Sequence, residues 1–160
     1  MNADLLYVFL YGMTPIGELR VAIPMGISVL DLPWYLVYPI AITGNIIPPI
    51  IIIPLLRLMD KHIQYVPQPF AKLLIWQKHR IRKLHTDRFN RYGALALVSF
   101  VAIPFPMTGA WTGSLAAYLF EVPFRRSLVL IGLGVLISGI IVSALVLSGV
   151  EIAGVIGDPS

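Results

Sequence analysis

The sequence contains no cysteine. That absence excludes disulfides, a thiolate nucleophile and cysteine-bound metal. Charge is scarce as well: Asp, Glu, Lys and Arg make up 12% of the 160 residues, about half of the roughly 25% usual in soluble domains. The three histidines, His62, His79 and His85, show no HExxH or paired-ligand spacing, so no metal site is expected. There is no GxSxG elbow, no Walker motif and no GxGxxG. Enzyme chemistry, direct nucleotide coupling and a resident cofactor therefore have no footing in the chain. The opening residues Met1-Asn2-Ala3-Asp4 lack the basic stretch of a cleavable secretion signal.

What the sequence does have is apolar length. Hydrophobic residues make up 58% of the chain, more apolar surface than a soluble fold of this size can cover. The expectation is an all-α polytopic membrane protein with the bilayer as its solvent. Nine of the twelve Lys and Arg fall within residues 57–91, which the positive-inside rule makes cytoplasmic. No stacking motif or folded basic domain accompanies this charge, so nucleic acid is not an expected partner. Within the segment, Phe70, Leu73, Leu74, Ile81, Leu84 and Phe89 alternate with basic residues. That pattern predicts an amphipathic helix over 71–88 lying on anionic headgroups.

The basic segment divides a single membrane domain into a first half, 4–56, and a second half, 92–150. Four apolar blocks run over 5–30, 34–56, 93–120 and 127–150. The second and fourth are long enough to cross about 30 Å of hydrocarbon. The first is broken at 14–20 and the third at 103–109. Each arm of these two is too short to span untilted, which predicts helical hairpins entering and leaving on one face; kinked full spans are the alternative. Arg125 and Arg126 fall on the same side as the basic segment if block three is a hairpin.

A shift of 90 residues aligns the halves. Asp31-Leu32-Pro33-Trp34 falls on Glu121-Val122-Pro123-Phe124, and Gly44 falls on Gly134. Two opposed hairpins, each followed by a span, make an inverted repeat, an architecture whose sites lie where broken elements meet.

The first break carries Glu18 and Arg20 between Pro15 and Pro24. Charge at membrane depth costs at least about 2.5–3.5 kcal/mol per residue, so these two are the candidate transport and proton site. A desolvated carboxylate can carry a proton, and a guanidinium can hold a phosphate or carboxylate. A self-neutralising pair that merely fastens the hairpin is the competing reading. The second break offers Pro104, Pro106, Thr108, Gly109, Trp111, Thr112 and Gly113 as a substrate contact or gate. Its freed amides suit an anion at a half-helix N-terminus. Asn45, just before Pro48 and Pro49, is expected to support backbone freed by those prolines.

Residues 17–26, GELRVAIPMG, resemble the GELRxAIPxGI signature of the small multi-drug export family. Residues 102–117, AIPFPMTGAWTGSLAA, resemble that family's second signature. The family in turn is similar to the DedA superfamily. The resemblance implies two opposed re-entrant hairpins, an essential acidic residue at the position of Glu18, and proton-linked movement of lipids or amphipathic small molecules. Val101 and Met107 stand where DedA-like proteins carry arginines around the second-hairpin proline. It also implies a prokaryotic inner membrane, with membrane lipids as partners. Two spans and two hairpins enclose little volume, so a homodimer is expected. The rival reading is a non-transporting scaffold associating through Gly132, Gly134 and Gly139.

Overall fold

A computed structural model of the chain describes residues 2–61, 87–105 and 108–149. Among these residues there are six α-helices and no strand: α1 (Asn2–Met13), α2 (Glu18–Pro24), α3 (Trp34–Lys61), α4 (Asp87–Ala102), α5 (Ala110–Leu119) and α6 (Phe124–Leu147). The amphipathic helix expected over 71–88 lies outside the described residues apart from its last two positions, which open α4. The three histidines, Pro106 and Met107 lie outside them too.

Two helices have the length and composition of membrane spans, Trp34–Met59 and Phe124–Leu147. At about 1.5 Å per residue both exceed a hydrocarbon core of about 30 Å. Their outward faces carry Ile50, Ile51, Leu55, Val129, Leu133 and Ile140, all largely exposed. Water would not support such a face, and lipid does. Four prolines, Pro39, Pro48, Pro49 and Pro54, sit inside α3 without ending it. Each removes a backbone donor, a loss that neighbouring helices offset in a membrane.

The first break is shorter than its sequence suggested. Residues 14–17 form a turn, and helix resumes at Glu18, so Glu18 and Arg20 belong to α2. Thr14 organises this turn. Its Oγ1 donates to the Tyr11 carbonyl at 2.8 Å and accepts from the Gly17 amide at 3.3 Å. Pro24 does not end the helix either. The chain widens just after it into a π-helical turn, Met25–Val29, a common way to absorb a proline within a helix. The second break falls between the end of α4 at Ala102 and the start of α5 at Ala110, where its Pro and Gly content predicts it.

The two halves use the same local devices. Leu30 and Phe120 end the second arms, and Asp31 and Glu121 follow with left-handed φ of 49° and 54°. Pro33 and Pro123 then lead into α3 and α6, where their carbonyls accept from Val37 and Ser127. Gly44 and Gly134 also do equivalent work. A Cβ on Gly44 would strike the Phe9 carbonyl of α1, and one on Gly134 would lie 3.0 Å from the Val98 carbonyl of α4. Each glycine thus lets a span close onto the first arm of its own half. Gly139 packs against Tyr38, whereas a Cβ on Gly132 meets nothing within 4 Å. Of the three glycines proposed for self-association, two are therefore spent inside the chain.

The second arms cross between halves: α2 packs on α6 as well as α3, and α5 packs on α3. The spans themselves meet where the Tyr38 hydroxyl donates to the Leu136 carbonyl at 3.2 Å. Arg57, near the end of α3, donates to the Val122 carbonyl at 2.5 Å. The end of α3 and the start of α6 therefore lie at one end of the molecule, and the spans run in opposite directions.

Candidate functional site

The turn at 14–17 and the break at 103–109 come together in the fold. Met13 ends α1, and its carbonyl accepts from the Trp111 indole Nε1 at 3.0 Å. This bond joins the two tips and holds Trp111 over the first one.

Glu18 sits beneath it at 8% exposure. Its Oε1 accepts from the Trp111 backbone amide at 3.2 Å, and the Ala110 amide faces the same carboxylate. These are the first free donors of α5, where the helix dipole favours negative charge. A further donor at this end, the Gly109 amide, is taken by Thr112 Oγ1 at 3.0 Å. The anion expected on these amides is thus Glu18 itself. The approach depends on Gly109: a Cβ there would overlap the Glu18 carboxyl group.

Glu18 has a left-handed φ of 48°. A non-glycine residue in that region stores about 1–3 kcal/mol of strain. Glycine would relieve it but bring no carboxylate.

Arg20 lies two residues further along α2, half-buried. Its Nη2 donates to Thr108 Oγ1 at 3.2 Å. The hydrogen bonds of Glu18 and Arg20 therefore both go to the second tip rather than to each other. The two charges still lie close enough to attract each other, and their hydrogen bonds add a clasp between halves. Thr108 also braces its own loop, with its hydroxyl 2.8 Å from the carbonyls of Ile103 and Phe105.

Pro15, Ile16, Glu18, Arg20, Thr108, Trp111 and Thr112 enclose a cavity of about 30 Å³. That is room for one or two waters. Pro104 flanks the second tip. Gly113 packs on Val101 rather than facing the cavity. Pro24 is buried in α2, away from this cluster. Asn45 is 2% exposed on α3, and its Oδ1 has no hydrogen-bond partner. Thr14 and the Met13 carbonyl were missed by motif reasoning. A threonine before Pro-x-Gly is a turn signal that points to the first. Nothing in the sequence marks the second.

A family model described as "Putative small multi-drug export protein" matches residues 18–141. The chain belongs to that small multi-drug export family. No curated protein and no solved structure matches it. The match begins at Glu18 and takes in α2 to α6 almost entirely, so both charged residues and the whole second tip of this small multi-drug export protein lie inside it. The family and the two apolar helices make it a membrane protein. The family description points to a membrane transporter.

Proposed function

We propose that this protein is a DedA-like, proton-linked transporter that moves a lipid or other amphipathic molecule between leaflets, without enzyme chemistry. The observation that carries the reading is the Glu18 carboxylate on the Trp111 amide, joining the two tips at 3.2 Å. As an anion, Glu18 holds the α5 N-terminus by a charge-assisted bond. Protonation leaves a neutral bond of roughly half the strength. Proton uptake thereby loosens the clasp, and the tips separate to admit substrate. Arg20 and Thr108 form the second half of the clasp, and the break at 103–109 with Pro104 and Pro106 serves as the gate. In this scheme Arg20 replaces the cations that Val101 and Met107 do not supply.

The topology proposed for this cycle is two re-entrant hairpins in an inverted repeat. Several features support it. The tips touch each other, the starts of α3 and α6 follow the 90-residue shift, and Asp31 and Glu121 share a left-handed φ. The Arg57 bond to Val122 brings Arg125 and Arg126 to the end where the basic segment begins. Under the positive-inside rule that end is cytoplasmic, in a prokaryotic inner membrane. A homodimer would cover the half-buried Arg20 at membrane depth.

The test is exchange of fluorescent phospholipid between leaflets of liposomes, with and without a pH gradient. Wild type should accelerate exchange and Glu18→Gln should not. Equal acceleration by both would remove Glu18 from the mechanism, and no acceleration by either would favour the scaffold reading.

A further inference from the structure

A second cavity lies away from the clasp, between the arms of the second hairpin. It is half-open, has a volume of about 220 Å³, and is lined by Gly93, Ala96, Leu97 and Phe100 of α4 with Ala116 and Phe120 at α5. The α4 residues follow i, i+3, i+4, i+7 spacing, and the α5 pair is one turn apart, so each set forms a stripe on one helix face. Small residues at 93, 96 and 116 leave the space, and almost all of its wall is apolar. For scale, a dry apolar cavity of about 150 Å³ already binds benzene. A helix, about 10–12 Å across with side chains, does not fit such a slot, but an extended hydrocarbon chain does.

The mouth has a chemistry of its own. Gly93, early in α4, and Phe120, just past α5, mark the end remote from the tips. Two residues beyond Phe120, the Val122 carbonyl accepts from Arg57. Arg125 follows in the first turn of α6 and is exposed. The Phe120 end of the slot thus lies within a few residues of the Arg57 contact and of Arg125, and guanidinium is the group best suited to phosphate.

We propose that the α4–α5 groove holds one acyl chain of an anionic phospholipid, with its phosphate on Arg57 and Arg125. This is a resident lipid, not the transported molecule, and it stands apart from the Glu18 reading. It fills the hairpin's internal space and ties the second tip's support to the composition of one leaflet.

The test is lipid retention at equilibrium, with no transport involved. Full-length protein is delipidated in detergent and re-exposed to equal phosphatidylglycerol and phosphatidylcholine. Bound lipid is then counted by native mass spectrometry on the monodisperse fraction. Wild type should retain one phosphatidylglycerol per chain. Ala116→Leu, which fills the slot, should lower retention at least tenfold. Arg125→Gln, an exposed change that leaves packing alone, should lower it several-fold and erase the preference over phosphatidylcholine. Gly132→Leu, facing open space, should behave as wild type. Unchanged retention in Ala116→Leu would overturn the proposal, and so would equal retention of the two lipids by wild type. If Ala116→Leu does not fold, Arg125→Gln decides: full phosphatidylglycerol retention there overturns it.

Discussion

Glu18 and Trp111 are 93 positions apart in the chain and 3.2 Å apart at the bonded atoms, carboxylate oxygen to backbone amide. The residue that looks like an isolated intramembrane charge is the N-terminal anion of a helix in the other half. Four consequences can be measured.

Gly109 should be intolerant of any side chain. Alanine there overlaps the Glu18 carboxyl group, and overpacking of this kind costs about 1–3 kcal/mol. Thermal unfolding in detergent should show a clear loss for Gly109→Ala. Adding Glu18→Ala should restore most of it, because the clash partner is gone. No rescue in the double variant would mean that Glu18 does not occupy this position.

The matched glycines should behave alike, and their neighbour should not. Gly44→Ala and Gly134→Ala each press a methyl on a backbone carbonyl or a buried valine, which should destabilise by about 1–3 kcal/mol. Gly132→Ala meets open space and should be neutral or slightly stabilising. Detergent melting curves of the three variants check this. A Gly132 variant as damaged as Gly134 would contradict the packing and point to an interface between copies.

Arg20 and Thr108 should be energetically coupled. A double-mutant cycle with Arg20→Ala and Thr108→Val should give an interaction of about 0.5–1.5 kcal/mol in chemical unfolding, within the range for contacting polar groups. Additive effects would separate the tips on that side.

The tip-to-tip contact should survive without the indole donor, but more weakly. Trp111→Phe keeps the backbone amide on Glu18 and loses the 3.0 Å bond to Met13, at a cost of about 1 kcal/mol. Tryptophan fluorescence and melting temperature together report it. An unchanged melting temperature would remove that bond from the set that holds the halves together.

Much of this arrangement was legible in the residues. The spans follow from uncharged apolar length, and the break at 103–109 from its prolines and glycines. The 90-residue offset could be seen in Asp31-Leu32-Pro33-Trp34 and Glu121-Val122-Pro123-Phe124, and it locates the starts of α3 and α6. The first break read too long because Glu18, Leu19 and Arg20 interrupt the apolar run, although charge does not stop a helix. The four prolines in α3 leave the span expected over 34–56 unbroken, because tertiary packing carries the helix through them. Partnership was the least legible feature. Glu18 and Arg20 are neighbours in sequence, which suggests a pair, while their bonds go to Trp111 and Thr108, contacts that only the tertiary fold creates. Gly134 and Gly139 look like an association stripe until the first arm and α3 are seen to occupy that face.

The most direct measurement of the central claim is proton movement and substrate movement in the same vesicles. Wild type and Glu18→Gln are reconstituted with a lumenal pH dye and a fluorescent amphiphile, and both signals are followed across external pH. Glutamine keeps an oxygen for the Trp111 amide, so the fold should persist and any change should report the lost proton site. The account predicts that wild type moves protons and amphiphile together with a pH-dependent rate, and that Glu18→Gln is at least tenfold slower and insensitive to pH. A Glu18→Gln protein with the wild-type rate and the wild-type pH profile would contradict it.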